Sequence, residues 1–356
     1  MRAERVGAFA PGRVNLIGEH TDYNGGLALP FAIGAGITVR ARRQATLSRA
    51  QPTIEAYARD LDERDEFALG ESAPAEGWRA FVRGTVAELA RAGAPLSGAR
   101  LEIGGDLPRG AGLSSSAALE VALCLALTAL GEEAGSDGAG RLDRIEIARL
   151  CARVENEWVG AQTGLLDQLA SLYGAPDTAL CIDFTTLSIE PVPLALDGWR
   201  LVLLDSGERH AHASSGYNER RAECARACEL LGVGSLREAD AEALARLPEP
   251  LSLRAEHVLG ENERVLAAVA ALRSGELEAV GRLLDASHES LRDRYQVSTP
   301  AVEAAVERLR RAGAAGARLV GGGFGGSILG LFAPDVAPPA EAREVRPGRG
   351  AHLLAG

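Results

Sequence analysis

The chain has 356 residues, with 38 basic against 49 acidic side chains and a formal net charge of −11. None of the basic residues is lysine, which excludes a Walker A lysine, a protein-kinase β3 lysine and any Schiff-base or pyridoxal-phosphate lysine. The acidic balance argues against general nucleic-acid binding, which needs basic surface to displace counterions. A nucleotide here would have to be held by backbone N–H groups, hydroxyls, a metal or arginine.

The length predicts two domains, or one large one. The start, MRAERVGAFAPGR, has no long apolar core and predicts no signal peptide. Residues 27–43 and 99–107 read as strands, with β-branched residues broken by glycine. AALEVALCLALTAL (117–130) is too short for a membrane span, carries Glu120, and predicts a buried helix over about 115–130. Residues 143–160 keep a rough helical spacing through Ile145, Ala148, Leu150 and Val154. ALCIDF (179–184) and WRLVLLD (199–205) are short apolar strands, and 217–312 is mostly helical with breaks at 247–252 and 297–300. The fold class is therefore α+β, divided near Gly174–Thr178 into an N-terminal domain (1–175) and a C-terminal α+β domain (176–356). Five cysteines without metal-like spacing suggest reduced thiols and a cytoplasmic protein.

Three glycine-rich segments concentrate the chemistry. In LPRGAGLSSSAALEVAL (107–123) a turn with Gly110 and Gly112 runs into a helix that opens on Ser114, Ser115 and Ser116. Free N–H groups and the positive end of the dipole make an anion site, although the serines could also serve as caps. LVGGGFGGSILGLF (319–332) satisfies G-x-G-x-x-G, but its exit looks like a strand. It therefore predicts a tight hairpin or flat backbone platform and not a dinucleotide fold. PGRVNLIGEHTDYNGGLALP (11–30) gathers Arg13, Glu19, His20, Asp22 and Tyr23. It reads either as a solvated loop or as a grip on a polyhydroxyl ligand, whose hydroxyls carboxylates accept from.

Together these segments resemble the three motifs of the kinase superfamily of galactokinase, homoserine kinase, mevalonate kinase and phosphomevalonate kinase. PGRVNLIGEHTDYNGG is similar to the galactokinase signature, VENEWVGAQTGLLDQLASLYG (154–174) to the family's catalytic segment, and SSGYNERRAEC (214–224) to its sugar-contact helix. The resemblance implies a two-domain fold with the active site in the cleft and a ferredoxin-like C-terminal domain. It implies an ATP- and Mg²⁺-dependent enzyme that phosphorylates the anomeric hydroxyl of galactose. By the same correspondence Asp167 is the catalytic aspartate and Arg13 its partner. Glu19, His20, Thr21, Asp22, Gly164 and Tyr217 contact sugar. Gly110, Ala111, Gly112, Leu113, Ser114, Ser115 and Ser116 cradle the ATP phosphates, and Ser116 and Glu155 contact Mg²⁺. The expected partners are galactose and ATP, with no nucleic acid or membrane, in a monomer or weak dimer. Kinases for N-acetylgalactosamine or galacturonate, and a catalytically silent sensor, are the alternatives.

Four departures from the family pattern are visible. Gln162 and Thr163 replace Pro-Cys, Gly216 replaces a glutamate, LLDSGERHAHASS (203–215) stands where an Asn-Thr-Asn type of segment is usual, and the chain is short after 332, so the edge of the second domain is expected to be trimmed or irregular. Among other residues, His210 and His212 alternate as a metal pair would, but no third ligand is in reach. Trp78, Trp158 and Trp199 read as packing residues.

Overall fold

The computed structural model describes residues 4–44, 51–70, 73–108, 110–131, 142–208 and 213–355. The chain forms β1 (Arg5–Asn15), β2 (Leu27–Ala28), β3 (Pro30–Arg43), β4 (Thr53–Ala58), β5 (Glu63–Ala68), α1 (Trp78–Arg91) and β6 (Ala99–Gly105). Next come α2 (Ser115–Gly131), α3 (Arg144–Arg153), α4 (Leu166–Tyr173), β7 (Thr178–Asp183), β8 (Ser188–Pro193) and β9 (Arg200–Asp205). The remainder holds α5 (Ala213–Leu231), α6 (Ala241–Leu244), α7 (Leu251–Arg273), α8 (Leu277–Ser290) and α9 (Pro300–Arg311). It ends in β10 (Gly316–Leu319), β11 (Ser327–Phe332), β12 (Arg343–Val345) and β13 (His352–Leu353).

Among the described residues the strands form sheets ordered β13-β1-β3-β6-β4-β5, β10-β11-β9-β12 and β2-β7-β8. All pairings are antiparallel except that of β4 with β6. This is the α+β architecture expected. α2 is apolar on nearly every side and lies against β1 and β3, its alanines allowing close approach. Burial on all sides pins its first turn in place, and that turn follows the serine-rich loop.

β1 pairs with β3 from Arg5↔Arg42 to Pro11↔Gly36, slips, and resumes at Arg13↔Ala32. The slip falls at Gly12, where a β-carbon would lie 2.5 Å from the Leu113 carbonyl oxygen, so only glycine lets that loop rest on the strand. Such irregularities re-aim a side chain, here that of Arg13, whose N–H donates to Leu113 O at 3.2 Å.

The helix expected over 143–160 is α-helical to Arg153 and continues as one π-helical turn, Val154–Val159, closed by Gly160 at φ +80°. The first residues of the 11–30 segment, read as a possible loop, end β1 and are buried. After 332 the described residues form two short strands and no helix: β12 adds to β9, and β13 returns to pair with Ala8 and Phe9 of β1. The tryptophans pack on the main core as expected. His210 and His212 lie outside the described residues.

Candidate active site

A cavity of about 410 Å³ is lined by Arg13, Glu19, His20 and Asp22, by 110–116, by Gly164 and Asp167, and by Tyr217, Asn218, Gly321 and Gly322. Segments far apart in the chain therefore converge as the motif reading required. Thr21 and Glu155 are the two expected residues outside this lining.

At the centre, Arg13 Nε donates to Asp167 Oδ1 at 2.7 Å and Arg13 Nη1 to the Gly112 carbonyl at 2.6 Å. The Ser114 hydroxyl donates to the other oxygen of Asp167. Arg13 is buried, while the Asp167 side chain is 24% exposed and so reachable from the cavity. Burial pulls the Arg13 guanidinium down, but Asp167, with Glu19 and Asp22 behind it, outweighs that and raises its pKa. Gly110 (φ +67°) and Gly112 (φ +73°) turn the loop ahead of α2. Ser115 and Ser116 open the helix, where N–H groups lack intrahelical acceptors. Ser114, expected on the phosphates, spends its hydroxyl on Asp167 and Ser116 spends its own on Glu155, which leaves the Ser115 hydroxyl and the backbone N–H groups for an anion.

At the sugar end, the turn after β1 is built on Thr21. Its hydroxyl is shared between the carbonyls of Gly18 (2.9 Å) and Leu27 (2.7 Å), and its own carbonyl accepts from Asn24 N and Gly26 N. Thr21 is fully buried and shapes the loop instead of facing the cavity, which corrects its expected sugar contact. His20 sits at φ +62° with Nδ1 2.8 Å from Tyr23 OH. Burial, with His257 nearby, pushes its pKa well below the usual 6.5 and keeps the imidazole neutral. Its ring packs on Tyr217 and Tyr295. Asp22 is pushed up to about 6 by burial and then by the charge of Asp167. Glu19 is buried and raised by burial, against which Arg318 acts most strongly.

Behind the cavity, Glu155 bonds Ser116, Thr163 and Gln168 (Nε2 at 3.0 Å), and burial raises its pKa. The π-helical turn carries it there, and such turns recur at functional sites. Carboxylate and hydroxyl oxygens are the donor set of a hard cation that keeps waters and shares phosphate oxygens, so Glu155 and Ser116 fit Mg²⁺. Among the described residues no group of three or more His, Cys, Asp or Glu could hold a metal.

Other contributors carry no signal of their own in the sequence. Thr163 and Gln168 hold Glu155, and Arg221 Nη1 donates to the carbonyls of Gln162 and Thr163 (3.1 Å to the latter). Gly321 N donates to Glu19 Oε1 at 2.7 Å, so the loop between β10 and β11 is the backbone platform its composition suggested.

Three family models match the chain: the galactokinase galactose-binding signature over residues 2–43, the GHMP kinases N terminal domain over 80–175, and the GHMP kinases C terminal over 268–349. A solved mevalonate kinase shares the fold, with a TM-score of 0.66 at 19% identity, over 97% of this chain and 100% of that one. Fold and site thus define a GHMP-class small-molecule kinase. A galactokinase of Mycobacterium tuberculosis is 45% identical over 334 residues, 92% of this chain and 88% of that protein. One of Thermotoga neapolitana is 41% identical over 323 residues, 90% and 88% respectively. The structure of Lactococcus lactis galactokinase complexed with galactose superposes with a TM-score of 0.89 at 33% identity, over 99% of this chain and 95% of that one. The chain belongs to the galactokinase family.

Proposed function

We propose that this protein transfers a phosphoryl group from ATP to the C1 hydroxyl of galactose, in the cleft between its N-terminal (1–175) and C-terminal (176–356) parts. The observation that carries the reading is the Arg13–Asp167 pair at 2.7 Å, set between the helix-opening serines and the polar turn at 19–22.

Phosphoryl transfer depends on placing the acceptor in line and stabilising charge on the transferred group. The 110–116 loop receives the triphosphate on backbone N–H groups and on the Ser115 hydroxyl. Asp167 takes the proton of the sugar hydroxyl, worth roughly 10²–10⁴ in rate for a positioned base. Arg13 on Oδ1 and Ser114 on Oδ2 fix the plane of that carboxylate. Asp22, His20, Glu19 and Tyr217 orient the hexose, with Gly164 leaving room for the Asp22 carboxylate. Glu155 and Ser116 would hold Mg²⁺, which when bound neutralises phosphate charge. Among the described residues no helix is long and apolar enough to cross a membrane. The cysteines are free thiols, which supports a cytoplasmic location.

The test is ADP release measured with galactose, glucose, N-acetylgalactosamine and galacturonate. Robust turnover of galactose alone is the expected result. Preference for N-acetylgalactosamine or galacturonate, or binding of galactose without turnover, would overturn the reading.

A further inference from the structure

Arg318 stands on β10 and is completely shielded from solvent. A guanidinium taken out of water survives only where fixed partners compensate it. Its Nη1 donates to two successive carbonyls at the exit of β1, Asn15 O and Leu16 O, each at 3.0 Å. Its Nη2 stands 3.6 Å from Glu19 Oε1. Glu19 Oε2 accepts from Asn15 Nδ2 at 3.0 Å, and Oε1 from Gly321 N at 2.7 Å. The same planar fork therefore grips the backbone that leads into the sugar turn and faces the carboxylate that the turn presents.

We propose that Arg318 is a positioning residue for the hexose: it fixes the Glu19 carboxylate and the 15–19 backbone from behind, and so sets the affinity for the sugar without touching it. The inference rests on the reading that the Glu19–Asp22 turn receives galactose. Other charges face this pair. Arg13 on β1 and Asp22 in the turn act on Glu19, and Glu261 on α7 and His288 on α8 lie near Arg318. His257 of α7 bonds the Glu19 carbonyl at 3.1 Å and is held neutral by burial. Of the groups opposing the burial of Glu19, Arg318 acts most strongly, so its loss drives Glu19 further toward its protonated form. A lysine restores the charge, but its single ammonium cannot take the place of Nη1 on the two carbonyls and of Nη2 facing Glu19 at once.

The experiment compares wild type with Arg318→Met, Arg318→Lys, Glu19→Gln and the double variant Arg318→Met/Glu19→Gln. Galactose and ATP are varied separately across pH, and melting temperature is recorded for each variant. Arg318→Met is expected to raise the galactose KM by roughly tenfold or more, with the ATP KM within about twofold of wild type. The acid limb of kcat/KM for galactose should move to higher pH, and Arg318→Lys should recover that limb while recovering KM only in part. In the double variant the penalty should be smaller than the product of the two single penalties, because part of the effect of Arg318 passes through the Glu19 carboxylate. A wild-type galactose KM in Arg318→Met, or penalties that multiply in the double variant, would overturn the inference. If Arg318→Met does not fold, Arg318→Lys decides, and a wild-type galactose KM there sinks the proposal. Wild-type protein that turns over no galactose would sink the functional reading instead, so the two failures are distinguishable.

Discussion

Gly164 and Asp22 are in contact: a β-carbon on Gly164 would stand 2.0 Å from Asp22 Oδ2. The catalytic segment and the sugar turn therefore meet where no side chain fits on one of them. Gly164→Ala must push the Asp22 carboxylate aside. The galactose KM is expected to rise by about tenfold or more while the ATP KM stays near wild type, since the phosphate loop is untouched. An unchanged galactose KM would mean that Asp22 does not need its present position.

Asp167 has one oxygen on Arg13 and the other on Ser114. Asparagine preserves the shape but cannot take a proton. Asp167→Asn and Asp167→Ala should both lose roughly 10³-fold or more in kcat, with nucleotide affinity measured by calorimetry barely altered. Near wild-type turnover in Asp167→Asn would remove the base assignment and leave the residue a positioning role.

The pH behaviour should follow Asp22, whose pKa is pushed up to about 6 by burial and by Asp167. Because kcat/KM reports the free enzyme, its value for galactose should fall below that pH as Asp22 protonates, and Asp22→Asn should remove this component of the acid limb, leaving the one set by Glu19, while raising KM. The sign for stability is opposite to that of a salt-bridged carboxylate. The folded state binds the proton more tightly than the unfolded chain, so stability drops as pH rises from 3.8 to about 6 and stays lowered above it. At pH 8 Asp22→Asn is thus expected to melt higher than wild type, by on the order of a few °C. A lower melting temperature would contradict the burial argument.

Glu155 is held by Ser116, Thr163 and Gln168 directly behind the phosphate loop. Glu155→Gln keeps the size and two of those contacts but loses the charge. The Mg²⁺ concentration for half-maximal rate, at fixed ATP, should rise by about tenfold with the galactose KM little changed. An unchanged Mg²⁺ requirement would take Glu155 out of the cation site.

What could be read from the chain depended on how local each signal was. α2 was legible because 117–130 is apolar apart from Glu120 and Thr128, and the β10–β11 hairpin because its glycines are followed by SILGLF, a strand. β4 and β5 carry a weak signal: ERDEFA opens on four consecutive charged residues, and its partner strand TIEAYA is short, with alanine at two of its three buried positions. The Arg13–Asp167 pair spans 154 positions and came from family resemblance, not from spacing. Thr21 was misplaced because a threonine inside a polar motif looks like a ligand contact, whereas its hydroxyl closes the turn. Thr163, Gln168, Arg221 and Arg318 belong to no motif: the first two reach Glu155 across the turn at 160–165, and the last two reach neighbours distant in sequence.

The pairing of β13 with β1 bears on proteolysis. His352 and Leu353 cover Phe9 and Ala8, on the strand that delivers Arg13 four residues later. Arg349, just ahead of them, is exposed. A trypsin-like nick there would cut this flap from the chain and uncover a raw strand border, a template for sticking to other molecules. The damage would reach the reaction centre by fraying its supporting strand, with every residue that touches the sugar or the nucleotide still chemically intact.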